Sequence, residues 1–224
     1  MGGAPGSPGP ALEGLRRFTE ARPQPEPGTV CELCSTPIPP DHGHVVDTER
    51  RSLGCACRAC ALLFTNPAAA KGRWRTVPDR YQALDPSVMD EARWDALAVP
   101  VGMAFFFTNG RSGSTVAFYP SPAGATESLL ALDAWAELAG SDPVLATLAP
   151  DVEALLVRRL GPDRFGCYLV PIDACYQLVG LVRSTWRGFD GGEDAKAAID
   201  AFFADVDGRC SVTARRLARG AARL

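Results

Sequence analysis

Seven of the ten cysteine and histidine residues of this chain lie within 30 consecutive positions, residues 31–60. They are Cys31, Cys34, His42, His44, Cys55, Cys57 and Cys60. Thiolate and imidazole groups are the side chains that bind zinc and related transition metals. Because an even distribution over 224 residues would place only one or two of the ten in this segment, the clustering indicates a metal site.

Two pairs of these cysteines have the spacing of a metal-binding knuckle, Cys31-x2-Cys34 and Cys57-x2-Cys60. In such a pair two sulfurs converge on one point, and backbone N–H groups turn toward the thiolates. Two pairs on two arms of a ribbon supply the four sulfurs of one tetrahedral site. We therefore predict that all four cysteines bind one metal ion. Zinc is the expected metal, and iron in the same four-sulfur site, as in rubredoxin, is the alternative.

Cys55, His42 and His44 exceed the number of ligands that one tetrahedral ion takes. We interpret them as residues that support the site from outside; entry into its coordination sphere and a second metal ion are the alternatives. Cys55 and Cys57 are two residues apart, which separates them by roughly 6–7 Å on an extended strand. Sulfurs that share a tetrahedral zinc lie roughly 3.8 Å apart, so we assign Cys57 to the metal and leave Cys55 out.

The composition is that of an ordinary globular protein, with 46% hydrophobic residues, 22% charged residues and a net charge of −3. The apolar run at residues 101–107 is far shorter than the roughly 20 residues of a membrane-spanning helix. The first ten residues contain four Gly and three Pro and no apolar signal sequence. We therefore predict a cytoplasmic protein without membrane contact, whose cysteines are thiols or metal ligands rather than disulfides.

The chain divides into four segments that must position these residues. Residues 1–30 contain twelve Gly and Pro and predict a disordered arm. Residues 31–80 are predicted to form a metal-binding ribbon and a linker, with a hairpin tip at residues 47–50. This segment has too few apolar residues to fold without a metal. Residues 81–206 predict a compact α+β domain, and residues 207–224 an Arg-rich tail. The predicted fold class is α+β with a small N-terminal zinc-ribbon-like or rubredoxin-like module.

Within the larger domain, hydrophobic periodicity predicts both helices and strands. The helices are expected at residues 87–97, 128–139, 151–160, 173–186 and 193–205, and the strands at 101–108, 114–119 and 167–172. The first two strands form a hairpin around the glycine-containing loop 109–113. Asp173 is the expected N-cap of its helix, and Cys175 belongs to the apolar face of that helix. Residues 119–128 are interpreted as a turn, and Trp74 as part of a linker that packs on the domain.

Five segments carry a family resemblance. They read CELC at 31–34, CACRACALLF at 55–64, AFYPSPAGATES at 117–128, YLVPIDACY at 168–176 and WRGFDGG at 186–192. Together they resemble an uncharacterised bacterial family that is associated with gene clusters for NiFe hydrogenases. The likeness spans most of residues 31–206. It implies an accessory or maturation component whose partner is a hydrogenase subunit or a maturation factor.

These observations predict a non-enzymatic metal-binding accessory protein that assists assembly or maturation of a NiFe hydrogenase. The alternatives are a rubredoxin-like iron electron carrier and a zinc-ribbon module that binds RNA or protein. Against an enzyme, both histidines lie in the ribbon, so no histidine-based nucleophile and base can form in the larger domain without reaching across to it. Against nucleic acid, the chain as a whole is acidic.

Overall fold

A computed structural model describes residues 28–128, 140, 142–188 and 191–221. The predicted disordered arm, residues 1–30, lies outside the described residues except for its last three positions. The predicted helix at residues 128–139 also lies outside them, except for Ser128. None of the helices in the described part of the chain combines the length and hydrophobicity that crossing a bilayer requires.

The N-terminal ribbon is a three-stranded antiparallel sheet in the order β2-β1-β3. Its elements are β1 (Gly43–Asp47), β2 (Ser52–Ala56), helix α1 (Arg58–Leu63), a 3-10 helix (Ala69–Gly72) and β3 (Trp74–Thr76). Strands β1 and β2 pair from Gly43 with Ala56 to Asp47 with Ser52. This pairing places a turn between Asp47 and Ser52 and confirms the predicted hairpin tip.

Trp74 lies within the ribbon rather than in a linker that packs on the domain. It begins β3, where it pairs with Asp47 of β1, and its ring centroid lies 6.2 Å from that of Phe64. The preceding residue, Arg73, forms an ion pair with the fully buried Asp47 at 2.8 Å. The linker prediction for Trp74 was wrong because this ion pair and the strand pairing hold the segment against the second edge of β1.

The larger domain is built on a six-stranded antiparallel sheet in the order β4-β9-β8-β5-β6-β7. Its strands are β4 (Gln82–Ala83), β5 (Met103–Thr108), β6 (Thr115–Ser121), β7 (Gly124–Ser128), β8 (Glu153–Gly161) and β9 (Arg164–Pro171). Its helices are α2 (Glu91–Ala96), α3 (Ile172–Thr185) and α4 (Gly192–Ala221), with 3-10 helices at Pro86–Val88 and Leu145–Thr147. The fold is α+β with a small cysteine-rich N-terminal module, as the sequence predicts.

The sheet is covered on both faces. Helices α3 and α4 pack on one face, where Leu178 and Phe203 meet Phe105 of β5. On the other face, α2 and neighbouring loops pack through Trp94 against Phe106, the next residue of β5. Because successive side chains of a strand point to opposite faces, adjacent phenylalanines supply both cores.

The structure contradicts the helix predicted over residues 151–160. This segment forms β8, which lies between β5 and β9 in the middle of the sheet. Leu155 and Leu156 are each fully buried, one in each core. A strand buried on both faces has a continuous apolar run instead of an alternating one, and in this segment the run also fits a helix.

Smaller differences concern residues 87–97 and 119–128. The predicted helix at 87–97 is divided, because Asp90 has an extended backbone and caps α2 by accepting a hydrogen bond from Arg93 N–H at 2.8 Å. Residues 119–128, interpreted as a turn, form a second hairpin in which Ser121 pairs with Gly124. The predicted hairpin of β5 and β6 and the predicted strand at 167–172 are confirmed.

Candidate metal centre

The first cysteine pair lies in a tight loop whose ends meet at an isolated bridge between Val30 and Pro37. Cys31 N–H donates to the Thr36 carbonyl at 2.8 Å, and Ser35 N–H donates to the Cys31 carbonyl at 2.7 Å. Ser35 has a φ of 59°, in the left-handed region. These bonds reverse the chain within a few residues and bring the sulfurs of Cys31 and Cys34 together.

The second pair lies at the beginning of α1. Cys57 is the N-cap, with extended backbone angles, and its Sγ accepts a hydrogen bond from Cys60 N–H at 3.5 Å. Cys60 therefore lies in the first turn, where its side chain returns toward that of Cys57. The cap is a thiol instead of the usual hydroxyl or carboxylate. A thiol at this position is consistent with a second role of Cys57 Sγ as a metal ligand.

Two hydrogen bonds between Glu32 and Cys55 connect the segments that carry the two pairs. Glu32 N–H donates to the Cys55 carbonyl at 2.9 Å, and Cys55 N–H donates to Glu32 Oε1 at 2.9 Å. These bonds anchor the first cysteine loop to the end of β2, which leads directly into Cys57.

Four cysteine sulfurs converge as a result. The Sγ atoms of Cys31, Cys34, Cys57 and Cys60 all lie within 4.8 Å of one another. Those of Cys34 and Cys57, one from each pair, are 3.7 Å apart, close to the roughly 3.8 Å between sulfurs that share a tetrahedral zinc. The structure thus brings together the four cysteines that the spacing selects, and they are close enough to bind a metal ion.

Ionisation of the four thiols is uneven. Hydrogen bonds with the side chain and then with the backbone of Thr36 lower the pKa of Cys34 to about 6. Burial opposes ionisation of Cys31, but hydrogen bonds from the backbone, beginning with that of Cys57, lower its pKa overall. The hydrogen bond to Cys34 and then burial raise the pKa of Cys60 to about 12. A cation bound by the four sulfurs would displace the proton that Cys60 retains beside Cys34.

The surroundings of the cluster fit a structural metal. The ribbon's own core contains four fully or almost fully buried residues among those described: Cys31, Val45, Ala56 and Ala61. A core of this size contributes little hydrophobic stabilisation. Metal ligation supplies the missing folding free energy in small modules of this kind.

Arginines of the hairpin tip do not adjoin the cluster. Arg50 and Arg51 lie at the turn, whereas Cys57 follows the opposite end of β2, roughly 16 Å away at 3.3 Å per residue. Arg50 lies 4.0 Å from Asp47 instead. Of the three ribbon arginines whose charge we expect to offset four thiolates, Arg50, Arg51 and Arg58, the two at the tip therefore lie too far away, whereas Arg58 directly follows Cys57.

The three surplus residues form a second group. One ring nitrogen of His42, one of His44 and Sγ of Cys55 all lie within 4.8 Å of one another. The ring centroids of the two histidines are 4.9 Å apart. Cys55 is not part of the four-cysteine group, in agreement with the reasoning from strand spacing.

Asp173 contributes to this second group from the larger domain. It lies in the first turn of α3, but the N-cap is Pro171 and no side chain caps the helix. The N-cap prediction for Asp173 was therefore wrong: its Oδ2 lies 2.8 Å from Nδ1 of His44. Sequence reasoning missed this contact because the two residues are 129 positions apart, and no local pattern joins them.

The remaining three cysteines lie away from the ribbon. Cys175 is fully buried on the apolar face of α3, as expected, and burial raises its pKa well above the ordinary value. Burial also raises the pKa of Cys167 to about 12 and that of Cys210 to about 11. These thiols act as small apolar residues of the core.

A cleft of about 200 Å³ lies between the ribbon and the domain. Arg51 and Leu53 line it from the ribbon, and Phe107, Glu127 and Tyr176 line it from the domain. Both parts of the molecule thus line one cleft.

Comparison with known proteins identifies one family. The sequence model of a family of unknown function, DUF5947, matches residues 30–210. Among curated proteins and among solved structures, no match to the chain reaches significance. The matched range begins just before Cys31 and ends at Cys210, so it contains the ribbon with all four clustered cysteines as well as the sheet domain.

Proposed function

This chain belongs to the DUF5947 family, and we propose that it is a non-enzymatic metal-binding accessory protein that assists assembly or maturation of a NiFe hydrogenase. The observation that carries the metal-binding part is the convergence of Cys31, Cys34, Cys57 and Cys60 within 4.8 Å. All four donors are sulfurs and none is replaced by a carboxylate. Closed four-sulfur sites of this kind hold zinc in a structural role.

The role of the metal in this proposal is to make the ribbon rigid. With the ion bound, the two cysteine loops become one unit, and α1 is held by Cys57 and Cys60 at its first turn. Later in α1, Leu62 and Leu63 are 61% and 66% exposed. Two adjacent leucines at this exposure form an apolar surface beside the metal site, which is suited to contact with another protein.

Charge supports a protein partner over nucleic acid. Residues 81–204 carry eight basic and sixteen acidic side chains. The arginines on either side of Trp74 are engaged within the protein: Arg73 with Asp47, and Arg75 with Asp151 at 3.8 Å. Phosphate binding would require basic side chains that are free to reach the backbone of the nucleic acid.

The family resemblance supplies the hydrogenase part of the proposal. Its test is affinity purification of the full chain from its native host. We expect a hydrogenase subunit or maturation factor to be recovered, and we expect the double variant Leu62→Arg/Leu63→Arg to recover less of it. The matched control is Leu160→Arg, since Leu160 is a leucine of β8 that is 50% exposed. Recovery of no hydrogenase protein, together with unchanged hydrogenase activity after gene deletion, would overturn this role.

Elemental analysis with a visible spectrum of the purified chain tests the metal. We expect zinc in the four-cysteine site and a colourless protein. A coloured protein containing iron would instead support the rubredoxin-like electron carrier. A folded ribbon with neither metal would remove the basis of both functions.

A further inference from the structure

We propose that His42, His44 and Cys55 form a second metal site, which binds a zinc-class divalent cation through two imidazoles and one thiolate and leaves the fourth position open. This site goes beyond the accessory function proposed above and involves none of the four clustered cysteines. It lies between the ribbon and the sheet domain.

The register of the ribbon sheet places the three side chains together. His44 of β1 and Cys55 of β2 are directly opposite one another in the antiparallel pair. Side chains of such partners lie on the same face of the sheet. His42 precedes His44 by two residues, which places it on that same face when the backbone is extended. The three donor atoms consequently lie within 4.8 Å of one another.

This face of the ribbon looks toward the larger domain. Val46 and Leu53, the next opposed pair on the same face, pack in the domain core that includes α3. Val45 and Ala56 point to the other face and belong to the ribbon's own core with Cys31. The second site is therefore on the opposite side of the strands from the buried Cys31.

Each histidine has one nitrogen engaged and the other free to bind. His42 Nδ1 donates to the Pro39 carbonyl at 2.8 Å, because a carbonyl only accepts hydrogen bonds. His44 Nδ1 lies 2.8 Å from Asp173 Oδ2. Metal-binding histidines almost always donate their second ring N–H to a backbone carbonyl or a carboxylate. Both partners are present here, one for each ring.

His42 supplies an independent indication of a cation site. Its Nε2 atom is buried and has no hydrogen-bond partner. Since Nδ1 carries the proton, Nε2 of the neutral ring has a lone pair with no donor facing it. Leaving a buried acceptor unsatisfied is costly, and a cation bound by Nε2 removes that cost.

The local charge also suits a divalent cation. One thiolate and two neutral imidazoles leave Zn²⁺ with a charge of +1. Glu32, whose carboxylate accepts from Cys55 N–H at 2.9 Å, and Asp173 beside His44 place two negative groups around it. The donor set of nitrogen and sulfur favours zinc over magnesium or calcium, which prefer oxygen. Three protein ligands with an open position are typical of zinc sites that bind water or a substrate.

A nucleophilic cysteine with His44 as base and Asp173 as its orienting group is the competing interpretation. It leaves His42 without a role, and it does not explain the unpartnered Nε2 of that ring. The metal site uses all three side chains and both outer hydrogen bonds.

The test uses zinc titration of the full chain, with metal content and competition against a chromophoric chelator as readouts. We expect two zinc ions per wild-type chain and one per chain in His44→Ala and in Cys55→Ser. Retention of that one zinc shows that the variants keep a folded ribbon. Asp173→Ala should keep the second zinc but bind it 10–100-fold more weakly. As a matched control, Cys210→Ala should bind two.

A measurement on the unmodified protein avoids dependence on variants. Alkylation of Cys55 by iodoacetamide, mapped by mass spectrometry, should proceed with one zinc equivalent bound and be strongly slowed by the second. A single zinc per wild-type chain, or two zinc ions in both His44→Ala and Cys55→Ser, would overturn the proposal. Alkylation of Cys55 that the second equivalent leaves unchanged would also overturn it.

Discussion

The ribbon and the sheet domain differ in what holds each of them together. In the ribbon, Val45 and Ala56 are the strand residues of its own apolar core, and this core also contains Cys31 of the four-cysteine cluster. In the domain, Phe105 and Phe106 enter opposite cores, and helices or loops cover both faces. Apolar burial is therefore smallest in the part of the molecule where four cysteines converge, and a metal ion bound by them would contribute most to stability there.

The two parts are nevertheless joined. Val46 of the ribbon packs in the core formed by α3 and the sheet. The pair of His44 with Asp173 and that of Arg75 with Asp151 cross the same boundary. Because of these contacts, the stability of the ribbon and that of the domain must each be measured by its own probe, such as hydrogen exchange resolved along the chain.

The largest expected effect is loss of the metal of the four-cysteine site. Cys57→Ala should abolish tight binding there and unfold the ribbon, because apparent binding free energies of such sites are about 10–16 kcal/mol and also drive folding. Elemental analysis and hydrogen exchange check this: amides of β1 and β2 should lose protection while those of β8 keep it. Equivalent results are expected for Ala at Cys31, Cys34 and Cys60. A protected, metal-free ribbon would contradict the contrast between the two parts.

Leu155→Ala should destabilise the sheet domain and leave the metal site of the ribbon unchanged. Leu155 is fully buried in the middle of the sheet, so its truncation should cost about 2–5 kcal/mol. Urea unfolding followed by the domain's amides measures the loss, while the zinc content of the folded protein should remain unchanged. If Leu155→Ala released zinc as readily as Cys57→Ala, the two parts would be one cooperative unit.

Alkaline pH should affect the domain through Tyr81. Burial raises the pKa of this phenol to about 12, although the nearby Arg209 opposes the shift. The folded state therefore holds the proton more tightly than the unfolded state. The associated stability is present below the unfolded pKa of about 10 and is lost as the pH rises toward 12, by up to about 2–3 kcal/mol. Urea titrations at pH 9 and pH 11 should show a smaller loss for Tyr81→Phe than for the wild type.

Cys55→Ala is expected to have the smallest effect on stability. The four-cysteine site does not include Cys55, so the metal of that site should stay bound. With one zinc equivalent per chain, which leaves the second site empty, the free energy of unfolding should change by about 1 kcal/mol or less. The comparison with Cys57→Ala, two residues away, is the sharpest available between a member of the cluster and a neighbour. Should Cys55→Ala lose this metal while Cys57→Ala retains it, the assignment of the two cysteines would be reversed.

Prediction from the sequence was most successful where the determinants are local. A CxxC pair brings its two sulfurs together through one tight turn, so spacing alone selected the four cysteines that converge. The hairpin of β5 and β6 is also local, since its loop, Asn109–Ser114, is short and contains two glycines. The periodicity of α3 likewise identified Cys175, Leu178 and Val182 as buried.

Prediction was least successful where contacts with residues far apart in the chain determine which of two secondary structures a segment adopts. The run of apolar residues in β8 fits a helix or a strand, and the pairing with β5 and β9 selects the strand. Trp74 became part of a sheet because β1 has a free edge and Asp47 binds Arg73.

The sequence by itself determined the α+β class and the four cysteines that converge in the ribbon, because these depend on residue type and on separations of a few positions. The tertiary structure alone decided that β8 is the central strand and that Asp173 supports His44. It also decided that His42, His44 and Cys55 face a common point beside the domain. Strand register and helix placement set these contacts, and both arise from packing between segments that are far apart in the chain.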